Sequence, residues 1–428
     1  MPKPKQPSRR EFLEAAAAGT GFALAGPAGK AWAREASVES FADPSAEAAA
    51  PADNTETAAE TAGVNPFTDP AYAVGAKMRL EEFSRRADPE QAKAIFARMT
   101  SLDAEPWVAA WTRLAVPYER QAEELESQGK VEEANKAYEK ASNYYSIAKF
   151  PVINHPAKQA AYRKCVETYL KAARSQDPPM ERVAIPFEGK EIIGYLRKPK
   201  GVTRPPVVIA TGGVDVYKED REVNDILGIG AASFSMDMPG AGECPMWNTP
   251  DAERLYITTI DFLLTRQDLD ARRLGFIGRS YAGYWGAKMA YVEPKRIRAA
   301  AQLGGPIHYT WQKDWLEGRK ADKTYFWSVL DSMIYSNGVK NYDELVKTAP
   351  AMSLLEQGWL DKPSAPMIMM NGEQDAWISP REIQLLLEHG EPKTARLIPD
   401  GAHLGRFSTH TAGVNRSITE FIRMHLNA

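Results

Sequence analysis

Cysteine is almost absent from this chain: only Cys165 and Cys244 occur in 428 residues. They form no CxxC pair and match no metal-ligand spacing. Each is read as a small buried or half-buried residue, with a disulfide between them as the alternative that an oxidising compartment would allow. Histidine is scarce too, and the six residues His155, His308, His389, His403, His410 and His425 contain no HExxH or HxH pair, which argues against a metal centre. Charge of one sign is also lacking. The 53 Lys and Arg face 56 Asp and Glu, mixed along the chain, for a net charge of -3. That excludes the basic stripe that a nucleic-acid partner requires. No glycine-rich turn reads GxGxxG or ends in GK[ST], so no cofactor is implied. No apolar run reaches the roughly 20 residues that a membrane span needs, so no stable membrane anchor is expected.

What is present begins with Ser8-Arg9-Arg10-Glu11-Phe12-Leu13, a mildly apolar Ala/Gly run over residues 15–29, and the small residues of Ala31-Trp32-Ala33. In that order they read as a twin-arginine export signal over residues 1–33, which predicts a periplasmic or secreted protein. The alternative is a short helix that happens to carry an Arg pair. Residues 34–65 are rich in Ala, Glu, Thr, Pro and Asp and hold almost no large apolar side chain, so they read as a disordered linker.

Two compositional regions follow. Over 66–178 apolar residues recur at spacings of three and four, as in Trp107, Trp111, Leu114, Tyr118 and in Tyr138, Ala141, Tyr145, Ala148. This predicts helices over 89–99, 105–128, 131–149 and 156–173, with Gly129-Lys130 as a stop between two of them. Over 179–428 short apolar runs alternate with helical stretches. Strands are predicted at 183–187, 192–196, 207–210, 233–236, 274–277, 299–303, 367–370 and 395–398, and helices at 251–264, 281–291, 380–388 and 412–425. The first two strands flank the turn Glu188-Gly189-Lys190 and form a hairpin. The fold class is α/β: a mainly parallel sheet with helices on both faces.

One strand runs into Gly278-Arg279-Ser280-Tyr281-Ala282-Gly283 and then a helix. A nucleophilic serine needs such a sharp strand-to-helix turn, with small residues either side because the two backbones nearly touch. Ala282 stands where glycine is usual, and alanine still fits. The competing reading of Ser280 is a plain helix N-cap. The partners weigh against it. Asp375 lies on the loop after the 367–370 strand, with Glu373 its nearest rival, and His403 follows the last strand, with Asp400 read as a turn former. The chain order serine, acid, histidine is that of this turn's usual partners. Ser280 is the expected nucleophile, His403 its base and Asp375 the group that orients the base. For the oxyanion, Tyr281 offers one main-chain N–H, and Gly213 or Val214 in Thr211-Gly212-Gly213-Val214-Asp215 offers the other.

These motifs, with Trp107-Val108-Ala109-Ala110-Trp111, Tyr118-Glu119, the 132–145 stretch, Lys149-Phe150-Pro151 and Asp237-Met238-Pro239-Gly240-Ala241-Gly242-Glu243, resemble one group of α/β-hydrolases. It comprises 2,6-dihydroxypseudooxynicotine hydrolase, the FrsA-like esterases and the fungal polyketide-shortening hydrolases, and the similarity spans about 66–428. The resemblance implies an N-terminal all-helical cap domain at 66–178 over an α/β-hydrolase catalytic domain at 179–428, often within a homodimer. It also implies hydrolysis of an ester or of a carbon–carbon bond beside a ketone. Residues 306–360 read as an aromatic-rich insertion, and His308, Tyr309 and Trp311 are candidates for the wall of a pocket taking an apolar or aromatic small molecule, with packing as the alternative. A non-catalytic binding protein of this fold and an aminopeptidase-type serine peptidase are the competing functions.

Overall fold

The computed structural model describes residues 68–325, 327–409 and 413–427, so the export-signal and linker expectations lie outside the described residues. The helical stretch opens with α1 (Ala73–Phe83), α2 (Pro89–Arg98), α3 (Ala104–Ser127), α4 (Val131–Ala148) and α5 (Pro156–Ala172). Local chemistry sets the ends. The Asp88 side chain accepts the N–H groups of Glu90 and Gln91, with Pro89 in the first turn where no donor is needed. Gly129, at φ 75°, ends α3 and lets the Lys130 N–H reach back to the Leu125 carbonyl.

The aromatic stripes face inward. Phe83, Phe96, Trp107, Trp111 and Phe150 meet edge-on or tilted at centroid distances of 5.2 to 6.3 Å. Trp327, from the 306–360 insertion, docks on Trp107 at 4.6 Å. Burying each of these rings contributes about 2–3 kcal/mol.

From Met180 onward the chain builds one eight-stranded sheet: β1 (Met180–Phe187), β2 (Lys190–Arg197), β3 (Pro206–Thr211), β4 (Ala232–Met236), β5 (Asp270–Arg279), β6 (Ile297–Leu303), β7 (Met367–Gly372) and β8 (Thr394–Ile398). The order across the sheet is β1-β2-β4-β3-β5-β6-β7-β8. Only β2 runs against its neighbours; every other pairing is parallel. β3, β4 and β7 are buried along their whole length, as expected of parallel strands covered on both faces. The covering helices include α6 (Asn224–Gly228), α7 (Glu253–Thr265), α8 (Gly283–Val292), α12 (Arg381–Glu388) and α13 (Val414–Leu426), and the insertion supplies α9 (Lys313–Arg319), α10 (Val329–Ser336) and α11 (Tyr342–Thr348). This is the strand arrangement that the resemblance implies. One apolar core runs without a break from the α1–α5 aromatics to the sheet. Both cysteines are free, Cys165 buried and Cys244 half-buried. Among the described residues no helix is long and apolar enough to cross a membrane.

Candidate active site

Register places the site. Thr211 of β3 pairs with Gly278 of β5, so the 212–215 turn lies beside Ser280. Gly372 of β7 pairs with Ile398 of β8, so the loops carrying Asp375 and His403 leave the sheet side by side. Ser280 has φ 56°, left-handed backbone that costs a non-glycine residue on the order of 1 kcal/mol and lifts its hydroxyl above the sheet. The turn is as crowded as the serine requires. A side chain at 278 would strike the Ala282 carbonyl oxygen, and one at 283 would come within 2.6 Å of the Gly305 backbone. Ala282 is fully buried in its place.

Ser280 Oγ lies 2.8 Å from His403 Nε2, and His403 Nδ1 lies 2.7 Å from Asp375 Oδ2. The structure thus brings together three residues that are 123 and 28 positions apart. Asp375 is buried, yet its carboxylate is well supplied with donors. Oδ1 accepts the main-chain N–H groups of Trp377 at 2.8 Å and Ile378 at 3.1 Å, and Oδ2 accepts Asn371 Nδ2 at 2.8 Å. With a carboxylate as its partner, Nδ1 carries the imidazole proton, and the Nε2 lone pair faces the serine hydroxyl. Asn371, at the end of β7, does more than hold the acid. Its Oδ1 also accepts the Leu404 N–H at 3.0 Å, which ties the acid loop to the histidine loop. The sequence reading passed over Asn371, although a lone amide closing the run Met367-Ile368-Met369-Met370 was the available signal. Glu373 is exposed, and Asp400 accepts a hydrogen bond from Ser408 in the turn before the histidine.

A chamber of about 120 Å³ opens above Ser280 and His403, bordered also by Gly213, Val214 and Tyr281. A Cβ at Gly213 would sit 2.8 Å from Ser280 Oγ, so only bare backbone can come this near. The N-terminus of α8, preceded by a short 3-10 turn over Ser280–Ala282, points at the same place, where main-chain N–H groups favour a developing negative charge.

The roof of the chamber holds residues that no local motif announced. Arg79 of α1 is 1% exposed. It donates to Glu82 at 2.7 Å and approaches Asp215 Oδ2 at 3.7 Å, with its guanidinium over the rings of Phe150, Tyr325 and Trp377. Tyr325 donates its hydroxyl to Asp215 at 2.9 Å. Burial would raise the Glu82 carboxyl, but Arg79, Arg406 and Arg86 outweigh it and hold the group at about 2. Lys149 Nζ donates to the Asp215 carbonyl at 2.7 Å, which fastens the helical stretch to the 212–215 turn.

His308, Tyr309 and Trp311 do not border this chamber, so the pocket-wall expectation is corrected. The packing alternative describes them. Trp311 is fully buried against Tyr281 and Tyr284, with centroids at 5.3 and 5.7 Å. His308 Nδ1 lies 2.7 Å from Ser353 Oγ. The main-chain N–H groups of His308, Tyr309 and Thr310 all donate to the buried Glu382, whose carboxyl burial pushes up and these N–H groups push down, with a net rise. The insertion instead lends the chamber Tyr325, Val329 and Met333, and Trp377 and Ile378 complete its apolar wall. Among the described residues no group of three or more His, Cys, Asp or Glu could hold a metal ion.

Residues 84–399 match the family model described as Esterase FrsA-like. Esterase FrsA of Photobacterium profundum is 25% identical over 337 residues, 73% of this chain and 80% of that protein. Esterase FrsA of Vibrio cholerae serotype O1 is 30% identical over 251 residues, and this alignment spans 54% of this chain and 60% of the relative. Among solved structures, 2,6-dihydroxy-pseudo-oxynicotine hydrolase superposes with a TM-score of 0.66 at 22% identity, covering 82% of this chain and 95% of that one. AbyA5 superposes with a TM-score of 0.65 at 20% identity, covering 82% and 97%. The structural likenesses establish the α/β-hydrolase fold, and the family match over most of the chain settles its kinship: this protein belongs to the FrsA-like esterase family.

Proposed function

We propose that the protein is a carboxylic ester hydrolase working through an acyl-enzyme on Ser280. The observation that carries this reading is the unbroken hydrogen-bond chain from Ser280 Oγ through His403 to Asp375 at the floor of a chamber. As Oγ attacks the ester carbonyl, His403 Nε2 takes its proton, and Asp375 stabilises the imidazolium that results. The oxyanion accepts the N–H of Tyr281 and that of Gly213 or Val214; losing one such donor costs about 3 kcal/mol of barrier. The intermediate collapses, and the departing alkoxide takes the proton from His403. Water then gives a proton to His403, attacks the acyl group and releases the acid, restoring Ser280.

The test is hydrolysis of 4-nitrophenyl acetate by the purified protein, with a panel of 1,3-diketones alongside and a fluorophosphonate probe as label. Ester turnover with labelling that vanishes in Ser280→Ala supports the reading. Turnover of diketones alone replaces it with carbon–carbon bond hydrolysis, and neither turnover nor labelling leaves a binding protein.

A further inference from the structure

The chain carries a net charge of -3, yet the surroundings of Ser280 are rich in arginine. Among the described residues its chamber is bordered by Arg79, Arg221, Arg279 and Arg406, against only Glu82 and Asp215. Both acids are already engaged: Glu82 by Arg79, Arg86 and Arg406, and Asp215 by Arg79 and the Tyr325 hydroxyl. A groove of about 780 Å³ adjoins the chamber and shares Arg279, Leu404 and Arg406 with it. Its outer rim adds Arg85 and Arg416, and the only acid along it among the described residues is Asp225.

Among the described residues two of these guanidinium groups have carboxylates nearby, Asp237 and Asp220 for Arg221 and Asp225 for Arg279, but form no direct ion pair with them. Arg221 Nε and Nη2 are shut off from solvent and have no hydrogen-bond partner among the described residues. Arg279 donates to the neutral Asn415 Oδ1 at 2.9 Å and forms no ion pair within 4.0 Å among the described residues. Burial pushes Arg221 down to about 10, with Asp237 opposing and Arg279 adding to the fall; burial lowers Arg279 as well. A guanidinium held only by a neutral amide beside a second buried cation is costly, and a carboxylate that meets the planar fork of Arg279 lowers that cost. The remaining wall, Tyr325, Val329, Met333, Trp377 and Ile378, suits a short apolar chain.

We infer that the substrate is an ester bearing a free carboxylate, the half-ester of a short dicarboxylic acid, whose carboxylate is received by Arg279, with the buried charge of Arg221 behind it and Arg406 lining its entry. This rests on the esterase reading above, and the experiment separates the two. Binding is measured on the full chain carrying Ser280→Ala, by ligand-observed NMR titration with the monomethyl and dimethyl esters of succinate and glutarate. The monoester is expected to bind at least about tenfold tighter than the diester, the worth of one charge-assisted pair of hydrogen bonds. The preference should shrink as ionic strength rises, and Arg279→Gln or Arg221→Gln in the same background should lower it toward one. Equal or weaker binding of both monoesters overturns the inference. Because the readout is a ratio within one protein, partial misfolding of an arginine variant does not mimic the result. Hydrolysis of the neutral diester by the unsubstituted protein reports on the esterase reading alone.

Discussion

The floor of the chamber and its roof differ in what holds them. On the floor, Ser280 directly follows β5 while Asp375 and His403 lie three and five residues beyond β7 and β8, and β3, β5, β7 and β8 set the spacing between these turns by register. The roof is held by charge across long chain separations. Arg79 reaches the Tyr325 carbonyl 246 positions away, and Glu82 faces Arg406 at 3.6 Å. The floor inherits its geometry from the sheet and is free to be strained at Ser280. The roof makes its geometry from ion pairs out of water, each member of which needs the others. The strained turn and the hydrogen-bond chain therefore belong to the floor, and the buried ion pairs to the roof.

Substitutions in each region test that division. Ser280→Ala is expected to lower kcat for 4-nitrophenyl acetate by on the order of 10⁴-fold or more while leaving the denaturation midpoint close to the wild-type value. A large loss of stability would show that the floor is not independent of the roof. Arg79→Met should do the opposite and reduce the free energy of unfolding by about 3–5 kcal/mol in urea titrations, because Glu82 and Asp215 lose a buried partner. Full stability with lost turnover would move Arg79 into the chemistry.

The same ion pairs set an acid limit. The Glu82 carboxyl sits at about 2 in the folded protein against an ordinary 4.5, so the unfolded chain binds the more protons between those values. Its stabilising contribution is complete above 4.5 and disappears as pH falls through about 2. The wild-type midpoint should drop across that window, and in Glu82→Gln the drop should be visibly flatter. A smaller effect is expected at the joint between the floor loops. Asn371→Ala should lower kcat by about 10- to 100-fold with little change in KM, since it loosens Asp375 and the Leu404 N–H without touching substrate. Smallest of all, Ser280→Gly should raise the free energy of unfolding by about 1 kcal/mol or less by relieving the left-handed backbone, at the expense of all turnover.

How much of this was legible in the sequence follows the same line. The strands were readable because burial on both faces demands runs such as Val207-Val208-Ile209-Ala210. Ser280, Asp375 and His403 were readable because turn chemistry is local: Gly278 and Gly401 mark the bends that project them. α1 was not read, because it buries Gly75 and Arg79 beside Ala76 and Met78 and so shows no clean apolar stripe. Nor could the sequence announce that Arg79, Asp215 and Tyr325 converge, since each is an ordinary surface residue type until its partners arrive. The aromatic insertion misled for a related reason. Trp311 and Tyr325 look alike in composition, but only the second faces the chamber, because the buried Glu382 gathers the N–H groups of residues 308–310 and anchors that end of the insertion in the core.

The helix behind Ser280 lies against the sheet with no spacing to spare. An added methyl at Gly286 would run into the carbonyl oxygen of Ala301, and one at Gly278 or Gly283 would meet main chain just as directly. The position of the serine hydroxyl is thus dictated by three missing side chains rather than by any that are present. Substitution at these sites can only add atoms, and each added atom meets the main chain that holds the Ser280 hydroxyl beside the His403 imidazole.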